Sequence, residues 1–113
     1  MFGAAASVLS EIGIAFLELR EMADFRAQGT AIAPVMRTAF KGPFVLNGEY
    51  DPRTAQAALD AGEADAIAFG RPFIANPDLP RRIAEELDLN TPESETFYSQ
   101  GPKGYIDYPA FSD

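Results

Sequence analysis

The sequence of 113 residues contains no cysteine and no histidine. Without cysteine, disulfide scaffolds, thiolate metal sites and cysteine nucleophiles are excluded. Without histidine, the chain lacks the commonest metal ligand and the commonest general base near neutral pH. No metal site is therefore predicted. If the protein is an enzyme, its acid–base groups are other residues, a cofactor or groups of another chain.

Basic residues are also scarce. Nine lysines and arginines stand against 17 aspartates and glutamates, which gives a net charge of −8 at pH 7. The sequence has no basic block of the kind that binds nucleic acid or an anionic membrane, so we expect neither partner. An apolar fraction of 47% is typical of a globular protein.

Long apolar runs are absent as well. None approaches the roughly 20 residues that a membrane span requires. The start of the chain, MFGAAASVLSEIG, lacks the basic segment of a secretory signal and carries Glu11 within its apolar pattern. The expectation that follows is a cytoplasmic protein.

What the sequence does contain is an alternation of helical and strand-like segments. Gly13 and Gly62 lie where glycine often follows a helix, and Asp51-Pro52 is a typical helix start. Near-continuous apolar runs predict strands. The predicted strands are 14–20, 43–50 and 64–70, the predicted helices are 3–12, 34–41, 52–61 and 77–87, residues 22–33 form a loop, and 88–113 form an irregular tail.

This order predicts an α/β fold with a parallel sheet, in one segment that covers residues 1–113. Strands that are apolar on both faces and separated by helices are typical of βα crossovers. Three parallel strands are too few for such a sheet to stand alone, so we expect part of a larger body. A complete (β/α)8 barrel takes about 250 residues, and the chain would be rather under half of one.

Two predicted strands have glycine at or near their carboxyl ends. Strand 43–50 finishes in Asn47-Gly48-Glu49-Tyr50, and strand 64–70 finishes in Gly70, followed by Arg71. The carboxyl ends of parallel strands are where α/β folds bind ligands. Glycine lets a phosphate approach the backbone N–H groups, and arginine is a bidentate, charge-assisted partner. The alternative is that both glycines only permit tight turns, while Arg71 caps a helix or pairs with an acid.

Two aromatic residues are candidates for ligand contact. Phe73 follows Arg71 across the stiff Pro72, in what we predict to be a loop. It would pack near the rings of a cofactor whose phosphate binds Arg71, and the alternative is a core phenylalanine beneath the loop. The tail motif GYIDYP has two tyrosines around Asp107, and one of them would form a hydrogen bond with a substrate, although tyrosines in proline-rich tails more often pack.

Two long motifs resemble those of the old yellow enzyme family of FMN-dependent ene-reductases. FGRPFIANPDLP at 69–80 resembles a hallmark of that family, and FYSQGPKGYIDYP at 97–109 resembles its C-terminal signature. FLELRE at 16–21 and PFVLNGEYD at 43–51 are similar to the sixth and seventh strands of its barrel. The resemblance extends over essentially the whole chain and is strongest to bacterial alkene and N-ethylmaleimide reductases.

The resemblance implies that the chain forms the C-terminal three βα units of a (β/α)8 TIM barrel with FMN bound noncovalently at its mouth. In such proteins NAD(P)H reduces the flavin, which passes hydride to an activated alkene such as an enone or a maleimide. The matched backbone and the arginine would hold the FMN phosphate, and the phenylalanine would lie against the dimethylbenzene edge. The implied cofactor-binding residues are Asn47, Gly48, Gly70, Arg71 and Phe73, and the implied substrate-binding residue is Tyr105.

The chain departs from the family in what it omits. The family's substrate-binding histidine pair (or histidine and asparagine) and its proton-donating tyrosine lie N-terminal to the matched segment, so no catalytic residue is expected in this chain. The expected partners are a complementary N-terminal barrel chain or segment, or further copies of this chain, and a small activated alkene. Truncation, proteolysis, a split gene or engineering would each explain the omission. The alternative function is a phosphate- or flavin-binding or structural module without redox activity.

Overall fold

The computed structural model describes all of residues 1–113. The chain divides into two compact units, Met1–Ala68 and Phe69–Asp113. No helix is long and apolar enough to cross a bilayer. In chain order the elements are α1 (Phe2–Ile12), β1 (Leu17–Arg20), α2 (Ala23–Ala27), α3 (Ala33–Ala39), β2 (Phe44–Asn47), α4 (Pro52–Asp60), β3 (Ala66–Ala68), α5 (Arg71–Ala75), α6 (Leu79–Ala84) and a 3-10 helix (Ser94–Thr96).

The three strands form one parallel sheet with β2 in the middle. Leu19 of β1 lies opposite Leu46 of β2, which lies opposite Ile67 of β3. Phe44 and Leu46 of β2 and Leu19 of β1 are buried, whereas β3 has no buried residue. The outer edges of β1 and β3 have no strand beside them in this chain. The predicted α/β fold with parallel strands is confirmed, and the burial of all strands on both faces is not observed.

Helices α1 and α3 pack against each other in the first unit. Ala6 of α1 is completely buried. Met36 in α3 and Phe40, directly after α3, are almost completely buried. Helix α1 ends at Gly13, whose φ of 79° is the left-handed conformation that glycine adopts without strain. This helix end is the one that the sequence predicts.

Helix α4 begins with the predicted cap. The Thr54 N–H donates to the Asp51 carboxylate at 2.7 Å, and the Asp51 N–H donates to the Thr54 hydroxyl at 2.9 Å. The bond from the Thr54 N–H lowers the pKa of the Asp51 carboxyl. Pro52 occupies the first helical turn, where no N–H is needed. The cap fixes the start of α4, so the loop between β2 and the cap residue Asp51 is confined to residues 48–50.

The second unit is ordered around the buried side chain of Arg82. Its Nε donates to Asp78 Oδ1 at 2.7 Å. Its terminal nitrogens donate to the carbonyl oxygens of Asp88 at 2.6 Å and of Pro109 at 2.9 Å. Apart from the 3-10 helix, the residues from 88 onward contain no helix or strand, in agreement with the predicted irregular tail.

All three strands are shorter than the predicted ranges. Strand β1 begins at Leu17 because the first bond to its neighbour runs from the Leu17 N–H to the Pro43 carbonyl at 3.0 Å. Strand β2 ends at Asn47 because Gly48 turns the chain with a φ of 130°. Apolar residues therefore continue past the paired part of each strand.

Two short helices replace predicted loops. The prediction of a loop over 22–33 is wrong at α2, and the loop expected after Gly70 is helix α5. Each has five residues, which is too short to show an apolar period. Pro72 lies in the first turn of α5, where its fixed φ suits a helix. Helix α6 is shorter than the predicted range 77–87.

Candidate functional site

The loop after β2, residues 48–50, lies against the end of β1. A Cβ at Gly48 would collide with the carbonyl oxygen of Glu21, so this close approach requires glycine whatever the loop binds. The following residue, Glu49, also has a positive φ, 60°, which is uncommon outside glycine. The tight-turn interpretation therefore accounts for the glycine at position 48, and a ligand would have to use the backbone of the loop.

Two backbone N–H groups of this loop have no acceptor in the chain. Neither Gly48 nor Glu49 donates a backbone hydrogen bond. Successive N–H groups in turn conformations are groups that bind anions. The side chain of Asn47 is different, because its Nδ2 already donates to Glu18 Oε1 at 2.9 Å. The donors that the loop offers to a ligand are therefore main-chain N–H groups, because the side-chain nitrogen of Asn47 is already bonded to Glu18.

Arg26 in α2 holds the loop in place. Its Nη1 donates to the Glu21 carbonyl oxygen at 2.6 Å, and its Nη2 donates to the Gly48 carbonyl oxygen at 2.8 Å. Its guanidinium carbon lies 4.5 Å from the centre of the Tyr50 ring, which is cation–π distance. The sequence analysis missed Arg26, since no pattern in the region 22–33 links it to a glycine 22 residues away.

Two residues that Arg26 contacts, Glu21 and Tyr50, each have a buried side-chain oxygen without a partner. Glu21 is buried, and its Oε2 accepts a bond from the Ile32 N–H at 2.6 Å, while its Oε1 has no hydrogen bond. The Tyr50 hydroxyl is also buried without a partner. Burial raises the pKa of Tyr50, the charge of Arg26 opposes that rise, and the carboxylates of Glu63 and Glu21 add to it. Tyr50 therefore remains a neutral phenol at neutral pH.

Gly70 and Arg71, which follow β3, lie in the second unit. Gly70 has a φ of −94°, and a Cβ there would meet no atom within 4 Å, so neither conformation nor packing in this chain requires glycine. Arg71 is exposed, forms no ion pair, and does not cap α5. The alternative interpretation, in which Arg71 pairs with an acid or caps a helix, is therefore wrong for this chain. Its charge and the space at Gly70 are available to a ligand.

The two aromatic candidates are both exposed in this chain. Phe73 in α5 is 48% exposed and is not the core residue that the alternative interpretation required. Tyr105 is 82% exposed, whereas the hydroxyl of the nearby Tyr108 accepts a bond from the Glu93 N–H at 2.8 Å. Of the tyrosines in the tail motif, Tyr108 packs and Tyr105 is free for contact outside the chain.

The structure contains no group of three or more acidic residues placed to hold a metal ion. The features that could serve a ligand are main-chain N–H groups, one unpaired arginine and two exposed aromatic rings. Main-chain N–H groups and an arginine are donors suited to an anion, and an exposed aromatic ring is a surface on which another ring system can pack.

Comparison with known proteins identifies the family. A sequence profile of the NADH:flavin oxidoreductase / NADH oxidase family matches residues 10–90. The chain therefore belongs to this family, the old yellow enzyme family of flavin-dependent oxidoreductases.

Individual relatives agree with this assignment. A 12-oxophytodienoate reductase-like protein from Solanum lycopersicum is 39% identical over 105 residues, which are 92% of this chain and 29% of that protein. A putative 12-oxophytodienoate reductase 10 from Oryza sativa subsp. japonica is 46% identical over 78 residues, 68% of this chain and 25% of that protein. The chain thus spans less than a third of the length of these relatives.

Solved structures share the fold. The old yellow enzyme homologue from Zymomonas mobilis is 53% identical with a TM-score of 0.89, and the match covers 97% of this chain and 32% of that one. Morphinone reductase in complex with tetrahydroNAD is 44% identical with a TM-score of 0.88, and the match covers 99% of this chain and 30% of that one. The parallel α/β arrangement is therefore that of the matching part of old yellow enzymes.

Proposed function

We propose that this chain is the C-terminal, FMN-phosphate-binding part of a (β/α)8 barrel enzyme that reduces activated C=C bonds, such as those of enones and maleimides, with NAD(P)H as the reductant. Family membership supports a flavin-dependent oxidoreductase. The observation that carries the proposal is the unpaired guanidinium of Arg71 directly after Gly70, a glycine that nothing in the chain itself requires.

The donors of the chain suit a phosphate dianion. Backbone N–H groups and an arginine fork make short, charge-assisted bonds to phosphate oxygens. In this proposal the unpaired backbone N–H groups of Gly48 and Glu49, directly after Asn47, donate to the FMN phosphate. The backbone N–H of Gly70 and the side chain of Arg71 donate to it as well. When bound, FMN supplies the hydride transfer, and the residues of this chain hold and orient it.

The exposed aromatic residues would complete the contacts of this part of the barrel. Phe73 would lie against the dimethylbenzene edge of the flavin and exclude water from it. Tyr105 would line the substrate pocket, where its hydroxyl is able to donate a hydrogen bond. The exposure of both side chains supports these roles, because each has surface that no residue of the chain covers.

The remaining catalytic groups belong to the rest of the barrel in this proposal. The chain has no histidine, which is the commonest general base near neutral pH. We therefore assign substrate polarisation and proton donation to residues outside this chain, and we expect the chain alone to be inactive.

The rest of the barrel is also the proposed partner of the sheet. The outer edges of β1 and β3 are unpaired, and unpaired strand edges are templates for association. In the same unit the apolar side chains of Phe16, Phe25 and Val35 are all more than half exposed. Either a complementary barrel segment or further copies of this chain would cover them.

The experiment completes the barrel and looks for flavin. We define the assembled barrel as the Zymomonas mobilis old yellow enzyme homologue in which residues 1–113 of this chain replace the matching segment. We expect it to purify yellow with bound FMN and to reduce N-ethylmaleimide with NADPH or NADH. A colourless protein that folds but takes up no FMN would contradict the proposal. An assembled barrel that binds FMN without turnover would instead favour a non-catalytic flavin-binding module.

A further inference from the structure

The main-chain donors of the loop after β2 depend on a conformation that the loop does not favour by itself. Gly48 and Glu49 both have positive φ, and the second of these is not glycine. Such a conformation persists where surrounding contacts determine it. The contacts that do so come from α2 and the end of β1, which lie in the same unit.

Arg26 is the centre of these contacts. It bridges the Glu21 and Gly48 carbonyl oxygens, at 2.6 Å and 2.8 Å. Both of these hydrogen-bond partners are main-chain atoms. Arg26 forms no ion pair, so no paired carboxylate neutralises its positive charge. The Tyr50 ring supports the guanidinium from one face.

The bond to the Gly48 carbonyl also sets the direction of the next N–H group. Carbonyl and N–H of one trans peptide unit lie in a plane and point in opposite directions. Because Arg26 holds the Gly48 carbonyl oxygen, the Glu49 N–H points away from the guanidinium and has no acceptor in the chain. A second tie comes from Glu49 itself, whose Oε2 accepts the Ala23 N–H at 2.8 Å.

We propose that Arg26 is a positioning residue for the anion-binding backbone of residues 48 and 49. The inference rests on the proposed function, since it assigns to Arg26 the orientation of donors that bind the FMN phosphate. Arg26 does not contact the cofactor in this account. It fixes the peptide between Gly48 and Glu49 so that a phosphate meets N–H groups already in place.

The test compares FMN with riboflavin, which has the same ring system and no phosphate. In the assembled barrel, Arg26→Met removes both bonds to carbonyl oxygens, and Arg26→Lys keeps the charge without the planar fork. We expect Arg26→Met to weaken FMN binding on the order of tenfold, the equivalent of one hydrogen bond to a charged group, with riboflavin binding unchanged. Arg26→Lys should restore part of the loss.

Arg53→Gln is the matched control. Arg53 is exposed at the start of α4 and forms no ion pair, so its replacement removes one positive charge near the loop without altering the bonds to Gly48 and Glu21. Its FMN affinity should stay within about twofold of the unchanged protein, well short of the tenfold expected for the loss of one bond.

The outcomes separate the inference from the proposed function. If the unchanged assembled barrel binds no FMN, both are wrong. If it binds FMN and Arg26→Met binds it equally well, the positioning role alone is wrong. Equal losses for FMN and riboflavin, with a lower thermal midpoint, would show a purely structural arginine. If Arg26→Met fails to fold, Glu49→Ala, which removes the second tie, is measured instead, and the same loss specific to FMN is expected.

Discussion

Arg37 and Asp65 form a two-bond ion pair that joins α3 to the segment leading into β3. Arg37 Nη1 lies 2.5 Å from Asp65 Oδ2, and Nη2 lies 3.0 Å from Oδ1. The same Oδ2 accepts the Phe44 N–H at the start of β2, at 2.8 Å. One carboxylate thus connects a helix with two neighbouring strands. The bonds from Arg37, and then that from Phe44, lower the pKa of Asp65 from 3.8 to about 2.

The first prediction is an acid-sensitive contribution from Asp65. Because its folded pKa lies below its ordinary value, the contribution of the carboxylate to stability is fully present above a pH of about 4 and is lost as the pH falls to about 2. Asp65→Asn in the assembled barrel should lower the thermal midpoint at neutral pH. As the pH falls from about 4 to about 2, the difference in thermal midpoint between this variant and the unchanged protein should become smaller.

Asp60→Asn is the control for this experiment. Asp60 Oδ1 accepts a bond from the uncharged Gln56 amide at 2.9 Å, and Asp60 forms no ion pair. Its replacement should leave the pH profile nearly parallel to that of the unchanged protein. A parallel profile for Asp65→Asn as well would show that the ion pair with Arg37 contributes nothing to stability.

The second prediction concerns the phosphate contact of Arg71. Arg71→Ala in the assembled barrel should weaken FMN binding by about 1.5 to 3 kcal/mol, or roughly one to two decades in dissociation constant, because it removes a charge-assisted bond. Fluorescence titration measures the affinity, and riboflavin, which lacks the phosphate, should bind with unchanged affinity. An FMN affinity equal to that of the unchanged protein would rule out a role for Arg71 in phosphate binding.

The third prediction contrasts the two glycines. Gly48→Ala places a methyl group against the Glu21 carbonyl at a φ of 130°, so it should cost more than about 2 kcal/mol of unfolding free energy. Gly70→Ala is the matched control, because its methyl group would meet nothing within 4 Å in the chain and should change the unfolding free energy by less than about 0.5 kcal/mol. The control should nevertheless weaken FMN binding, since the methyl group would occupy the space proposed for the phosphate.

Chemical denaturation and FMN titration of both variants check the contrast. Equal destabilisation by the two substitutions would show that position 70 is also constrained by packing. Unchanged FMN affinity in Gly70→Ala would remove the support that this glycine gives to the phosphate site.

The fourth prediction is that the chain alone does not form a stable monomer. Two open sheet edges and exposed apolar side chains favour self-association or poor order. Light scattering of residues 1–113 should show oligomers, and amide exchange should show weak protection in β1 and β3. A monodisperse 12.2 kDa monomer with all three strands protected would mean that the chain is an independent α/β module.

Local signals in the sequence predicted the parts of the fold that local chemistry determines. The end of α1 at Gly13 and the start of α4 at Asp51-Pro52 follow from capping, which acts between residues close in sequence. The parallel arrangement follows from apolar strands alternating with helices. The predicted strands were too long, because apolar residues extend beyond the part of each strand that pairs with its neighbour. Residues 14–16, for example, are apolar and precede the first paired residue, Leu17.

The sequence could not predict how Arg26 and Glu21 are used. The side chains of both bond to main-chain atoms, and a backbone carbonyl or N–H leaves no mark in the sequence. Helix α2, which carries Arg26, is only five residues long and has no period. Gly70, Arg71 and Phe73 were found because they follow a predicted strand, and Tyr105 was found because it belongs to a long motif. Their ligand roles remain predictions.

The buried guanidinium of Arg82 has a consequence for how freely the tail can vary. Two of its acceptors, at Asp88 and Pro109, are main-chain carbonyls, which every residue type supplies. Tail side chains that make no bond of their own can therefore be exchanged while the path of the tail is kept, provided that Arg82 and its carboxylate partner Asp78 stay, together with bonded tail side chains such as Asn90 and Tyr108. Sequence drift in this region should concentrate at exposed tail positions, and related chains that lose Arg82 should also lose the shape of the tail.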